Sequence, residues 1–292
     1  MGASNGRLIG QERNGWAAGE SGVDKRLNQT HEIAVEIGGM PILFRTHDFS
    51  FREMMIDRYT GFINFLSRPS LEFEVELVTP SGGMESEEDA QVEMQDGLWH
   101  FRRGDFRAQW DPRAGRGHIR QSANPYSVDS VLRIVHSLIL AREGGFLLHA
   151  ASAIRDDRAF LFSGISGAGK TTISRLAPPD VLLLTDEVSY VRREATSYHA
   201  CGTPFAGELT RVGSNCSALV ATLFLLEKGS ENKIELVNAG EAVRCLLRNI
   251  LFFAEDAELV EMIFRSACDF VDRVPVRRLT FVPDTRVWDL IV

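Results

Sequence analysis

The stretch FLFSGISGAGKTTISRL, residues 160 to 176, concentrates glycines, a lysine and hydroxyls in a pattern suited to phosphate chemistry. Gly164, Gly169, Lys170 and Thr171 satisfy the spacing G-x-x-x-x-G-K-[ST], with an apolar run leading in and a helical pattern leading out. Glycine permits tight, partly left-handed turns, so the backbone from Gly164 through Ile165, Ser166, Gly167 and Ala168 to Gly169 can converge on an anion. A helix beginning there adds its N-terminal partial positive charge. Lys170 supplies a mobile point charge for β and γ phosphates, and the hydroxyls of Thr171 and Thr172 follow it. Thr171 suits Mg²⁺, a hard cation that prefers oxygen. The ligand expected is ATP or another nucleoside triphosphate with Mg²⁺.

Two further pieces lie close by. LLLTDEVSYV, 182 to 191, is read as an apolar strand ending in Asp186 and Glu187, where carboxylates can meet Mg²⁺ or its waters. Adjacent acids on an extended segment point to opposite sides, so the two should do different jobs. His149, in GFLLHAASAI, is an isolated imidazole on the strand just ahead of the one that feeds the loop. A ring titrating near neutrality beside a phosphate site is a candidate proton partner or phosphate contact. The plainer alternatives are a glycine turn with an incidental lysine, strand-end surface acids, and a core histidine bonded to backbone.

These residues need elements to hold them. HEIAVEIGGMPILFRT alternates around Gly38 and Gly39 as a hairpin, residues 48 to 63 carry helical spacing, and LEFEVELVT alternates as a strand. PSGGMESEEDA, 80 to 90, reads as a solvated acidic loop, and segments around LWHFRR, DFRAQWD and RGHIRQ continue the strand rhythm. SVDSVLRIVHSLILAREGG reads as a helix begun near Pro125 and stopped at Gly144 and Gly145, with His136 as a packed or surface histidine. Apolar runs then suggest buried strands: FLLHAASAI, RAFLFSG, VLLLTDEVSYV, SALVATLFLLEK, KIELVNA and a closing PVRRLTFVP. Helices are expected over EAVRCLLRNILFFA and AELVEMIFRSACDFV. The division follows: a loose arm over 1–30, a β-rich region over 31–123, and a layered α/β domain over 124–292 that includes the leading helix.

The totals narrow the class. A chain of 292 residues with 44% apolar content can bury a sizeable core, and a net charge of -8 argues against nucleic-acid or membrane-surface binding by bulk attraction. Local basic pockets are compatible with that charge. Cys201, Cys216, Cys245 and Cys268 show neither metal-ligand nor disulfide spacing, which suits free thiols in a reducing cytoplasm. The first thirty residues lack a signal-peptide core, and no run approaches the roughly 18 apolar residues of a membrane span. A cytoplasmic, soluble protein is expected.

His149, the loop GISGAGKT and the step Asp186–Glu187, in that order and at close spacing, resemble the catalytic domain of the HPr serine kinase family, whose phosphate-loop core is itself similar to that of phosphoenolpyruvate carboxykinases. The tail VPVRRLTFVPDTRVWDLI resembles the ending of smaller members. The resemblance implies that Asp186 accepts the proton of a serine-type hydroxyl, that the family histidine falls on His149, and that Glu187 stands where the family usually has aspartate. HACGTPFAGELTR, 199 to 211, is similar to a TPFxGE-like segment, which would bring Glu208 and Arg211 to the site. It further implies a homo-oligomer. The long glycine- and asparagine-containing signature of the bifunctional kinase/phosphorylases has no counterpart here.

The expected function is therefore Mg²⁺-dependent phosphoryl transfer from a nucleoside triphosphate to a serine-type hydroxyl on a protein, peptide or small molecule. Catalytic roles fall to Asp186 and His149, and metal roles to Thr171, Asp186 and Glu187. The rival expectations are a nucleotide-sensing binding module and a partner in a peptide-tailoring pathway with little catalysis of its own.

Overall fold

The structure is a computed structural model that describes residues 29–64, 68–79, 89–205, 207 and 213–292. The expected N-terminal arm and most of the acidic loop at 80 to 90 lie outside the described residues, as do Glu208 and Arg211.

Alternating residues fold the first part of the chain into one seven-stranded sheet. His31–Ile37 (β1) and Met40–Thr46 (β2) form the expected hairpin, with Gly38 and Gly39 at φ of 61° and 79°. A Cβ on Gly38 would sit 2.5 Å from the Tyr190 ring, so this turn is also a point of close approach to the second sheet. Asp48 then caps Phe49–Arg58 (α1) by accepting from the Phe51 amide at 2.7 Å, and the helix buries Phe51 and Met55. Leu71–Leu77 (β3), Gln91–Gln95 (β4), Leu98–Arg103 (β5), Phe106–Asp111 (β6) and Arg116–Gln121 (β7) complete the order β1-β2-β3-β7-β6-β5-β4. β3 runs parallel to both β2 and β7, and the remaining pairs are antiparallel. β4 was not foreseen: it buries only Val92, so its sequence carries almost no alternation signal.

Pro125–Glu143 (α2) follows its punctuation. The Asn124 side chain accepts from the Tyr126 amide, Pro125 opens the first turn, and Gly144 ends the helix at φ 78°. The helix packs on α1 and on strands of the second sheet, and one apolar core runs from the first sheet through Val128, Leu132 and Val135 into the second.

The second sheet is built from Phe146–Arg155 (β8), Arg158–Ser163 (β9), Leu182–Thr185 (β10), Val188–Glu194 (β11), Ser197–Cys201 (β12), Ser217–Lys228 (β13), Lys233–Leu236 (β14), Ile250–Leu251 (β15) and Val276–Phe281 (β16). Helices Lys170–Arg175 (α3), Ala239–Asn249 (α4) and Ala257–Arg273 (α5) accompany it, and a 3₁₀ turn, Thr285–Leu290, follows the last strand. β13 is parallel to β9 and β16, and the other pairs are antiparallel. The pairings β8–β9, β9–β13, β13–β12, β12–β11 and β11–β8 form a closed circuit. The chain is thus a mixed α/β protein with two mixed sheets.

Two local expectations are corrected. The run VLLLTDEVSYV is two strands, because β10 stops at Thr185 opposite Ser152 and β11 begins at Val188 opposite His149, leaving Asp186 and Glu187 in a bend. The helical reading of EAVRCLLRNILFFA fails after Asn249: Ile250 and Leu251 pair instead with Leu148 and Leu147. That stretch of β8 lies beyond the end of its pairing with β9, and its backbone groups need partners that β15 supplies. The four cysteines are free thiols. Among the described residues no helix is long and apolar enough to cross a membrane.

Candidate active site

Strand register brings the pieces together. On one side of β8, Ala150 pairs with Ser163, the last residue of β9; on the other, His149 pairs with Val188, the first residue of β11. The start of the glycine loop, the imidazole and the Asp186–Glu187 bend therefore share one level of the sheet. The Ser163 hydroxyl donates to the His149 carbonyl at 3.1 Å, which ties the mouth of the loop to the histidine's own strand.

The loop is shaped by close contacts that exclude side chains at two glycines. Gly169 precedes α3 at φ 113°, and a Cβ there would lie 2.6 Å from Cζ of the buried Phe281 ring. A Cβ on Gly164 would come 2.7 Å from that of Ala168, which packs into a small apolar core with Phe162, Phe281 and Trp288. Trp288, in the final 3₁₀ turn, donates from Nε1 to the Ile173 carbonyl at 3.1 Å and meets Phe162 edge-on. The C-terminal tail thus braces both the strand before the loop and the helix after it.

A cavity of about 490 Å³ opens above this arrangement. Its walls include Ser166, Gly167 and Gly169 of the loop, Lys170, Thr171 and Thr172 of α3, and His149 and Glu187. Lys170 is buried, and its Nζ donates to the Gly164 carbonyl at 3.1 Å. Gly164 and Ala168 shape the loop from below, whereas the Ile165 side chain is 78% exposed and lies off the cavity wall. His149 Nε2 is 3.6 Å from Glu187 Oε1, beyond ordinary hydrogen-bond length. Burial and the Lys170 ammonium hold the His149 pKa below its usual value, opposed by the Glu187 charge. The imidazole is accordingly neutral at pH 7, able to accept at one nitrogen and donate at the other.

Asp186 and Glu187 take different directions from the bend. Asp186 is buried and lines a neighbouring cavity of about 460 Å³ with Ser174, Thr185 and Ser214. Its Oδ1 accepts from the Gly207 amide at 3.0 Å, and Gly207 itself lies on the wall of the Lys170 cavity. A Cβ on Gly207 would stand 2.7 Å from Glu187 Oε2 and 3.0 Å from Asp186 Oδ2, so one oxygen of each acid faces the same small gap.

Three cavity residues were not singled out from the sequence: Gly207, Arg133 from α2, and Lys228 from the end of β13. Arg133 carried a readable signal, a cation set within the apolar run VLRIV, and Gly207 is the glycine of the TPFxGE-like segment; Lys228 carried none. Against a net charge of -8 for the whole chain, this cavity gathers, among the described residues, Arg133, Lys170 and Lys228 with the acid Glu187. Such a site favours an anion.

Comparison with known proteins gives one family. Residues 120–291 match the model of "SynChlorMet cassette protein ScmC". No curated protein matches the sequence. Among solved structures, the HPr(Ser) kinase/phosphatase from Coxiella burnetii aligns over 46% of this chain and 84% of its own at 11% identity, with a TM-score of 0.25, too low to carry an argument.

Proposed function

From a chain that belongs to the SynChlorMet cassette protein ScmC family, we propose a nucleoside-triphosphate-dependent phosphotransferase acting on a serine-type hydroxyl, of the HPr serine kinase kind. The observation that carries this reading is the strand-loop-helix from Arg158 to Arg175, whose Gly167, Gly169, Lys170 and Thr171 line one cavity with His149 and Glu187. The loop backbone and the Lys170 ammonium hold the terminal phosphates, and placement with charge stabilisation supplies most of the rate in such transfers.

The donor set suits Mg²⁺: the Thr171 hydroxyl on the cavity wall and the Glu187 carboxylate are the hard oxygen ligands that would hold such an ion alongside phosphate oxygens and water, with Asp186 Oδ2 left beside them at the Gly207 gap. When bound, that ion neutralises charge on the transferring phosphates. The two acids divide the remaining work. Asp186, fixed at Oδ1 by the Gly207 amide, accepts the hydroxyl proton at Oδ2 as the hydroxyl oxygen bonds to the terminal phosphorus and the nucleoside diphosphate leaves. Glu187 stands beside His149, whose neutral ring orients the acceptor hydroxyl by a hydrogen bond.

A second reading draws on the family model, which begins at residue 120 and leaves β1 to β6 outside it. In that reading the first sheet serves a partner of the cassette pathway and nucleotide occupancy is only sensed. One experiment separates the two: purified protein is given γ-labelled ATP with free serine, serine peptides and cell extract, and labelled species are identified by mass. Label on a hydroxyl-bearing acceptor supports transfer; nucleotide bound without any labelled acceptor supports sensing.

A further inference from the structure

On α2 a cation stands between apolar neighbours in the run VLRIV. Arg133 lies between buried Leu132 and Ile134, and its side chain reaches the cavity that holds His149 and Lys170. Its Nε is buried with no hydrogen-bond partner, and among the described residues no carboxylate comes within 4 Å of its guanidinium. The contact it does make is with the ring of Phe205, whose centroid lies 4.8 Å from Cζ. Phe205 is itself buried, so the guanidinium plane is held by an apolar surface and not by charge.

The acid best placed to neutralise Arg133 is already committed. Asp129, one helical turn earlier, accepts from the Tyr59 hydroxyl at 2.6 Å and pairs with Arg58, both on or next to α1. Asp129 still acts on Arg133 through space, as does Glu187 across the cavity, but neither bonds to it. A half-buried guanidinium whose Nε is shut off from water without a bonded partner carries a desolvation cost. The cost is offset when an anion enters, because the planar fork of arginine takes two oxygens of a phosphoryl group at once. Lys170 cannot do this, being a point charge bound to the Gly164 carbonyl.

We propose that Arg133 is a second cationic ligand of this cavity, contacting the terminal phosphoryl group of the bound triphosphate, so that the group in transfer is held both by the loop with Lys170 and by the guanidinium of α2. The identity of the anion rests on the phosphotransferase reading above.

The test uses the full chain and three variants, Arg133→Gln, Arg133→Lys and Lys170→Ala, titrated calorimetrically with a non-hydrolysable Mg·ATP analogue and with Mg·ADP, each variant's fold being checked by thermal melting. Arg133→Gln is expected to bind the triphosphate analogue about 10- to 100-fold more weakly while its affinity for the diphosphate changes by less than about threefold, because only the triphosphate presents the terminal group. Arg133→Lys, which keeps charge and loses the fork, should fall between Arg133→Gln and wild type. Unchanged affinity for the analogue, or equal loss for both nucleotides, overturns the assignment. If Lys170→Ala loses nucleotide and Arg133→Gln does not, this inference fails and the phosphotransferase reading stands. If wild type binds neither nucleotide, both fail. Should Arg133→Gln not fold, Arg133→Lys decides alone: selective weakening for the triphosphate supports the proposal, and none overturns it.

Discussion

Glu187 and His149 stand with Oε1 and Nε2 3.6 Å apart because consecutive pairings on the two sides of β8 bring a bend of one neighbour level with the end of another. The two residues are 38 positions apart in sequence, 187 minus 149, and the sheet makes them neighbours. The ring also feels the Lys170 ammonium, so three residues singled out from the sequence are coupled electrostatically.

That coupling has a direction that can be measured. Lys170 lowers the His149 pKa and Glu187 raises it, with burial the largest influence. Lys170→Met should therefore move the His149 titration toward its ordinary value near 6.5, and Glu187→Gln should move it further down. Histidine ring resonances followed by NMR across pH would show opposite displacements in the two variants. Displacements of the same sign would mean that the three groups do not share one site.

The loop's backbone should tolerate no side chain at Gly169. Its φ of 113° is strained for any L residue, and an added methyl would meet the Phe281 ring at 2.6 Å. Gly169→Ala is expected to lower unfolding free energy by roughly 1–3 kcal/mol. Adding Phe281→Leu should restore part of that loss by relieving the collision while leaving the backbone strain. Denaturant unfolding of the single and double variants provides the comparison; full recovery in the double variant would mean that backbone strain contributes nothing.

His136 gives stability a pH dependence separate from the candidate site. The ring is fully buried on α2, edge-on to Tyr190 with centroids 5.4 Å apart, and both nitrogens lack hydrogen-bond partners. Burial alone pushes its pKa down from 6.5 to about 4. The unfolded chain therefore binds a proton that the folded chain refuses between those values, so the contribution of neutral His136 is complete above pH 6.5 and lost as pH falls toward 4. The loss from this residue approaches roughly 3 kcal/mol. His136→Phe should flatten the stability profile over that window relative to wild type, read by chemical denaturation at a series of pH values. An unchanged profile would mean that the ring is protonated as readily inside as outside.

Local chemistry made much of this molecule legible. The Gly38–Gly39 hairpin, the Asn124–Pro125 start and Gly144 stop of α2, and the strand-loop-helix around Lys170 are written in short-range residue preferences, and each took its expected form. What escaped depends on partners distant in sequence. Ile250 and Leu251 leave a helical pattern because β8 has unpaired backbone beside them, and the apolar run 182–191 breaks because its halves pair with different stretches of one strand. Arg133, Lys228 and Gly207 reach the cavity from α2, β13 and the segment after β12, a convergence set by topology alone. The separate directions of Asp186 and Glu187 were anticipated from backbone alternation, although they arise at a bend between strands.

The most direct measurement is single-turnover phosphoryl transfer from γ-labelled ATP to a serine-type acceptor, run alongside equilibrium nucleotide binding for wild type, Lys170→Ala and Asp186→Asn. The expected result is transfer by wild type, loss of both binding and transfer in Lys170→Ala, and near-normal binding with transfer reduced at least about 100-fold in Asp186→Asn. Equal transfer by Asp186→Asn and wild type, or undiminished binding by Lys170→Ala, would contradict the account.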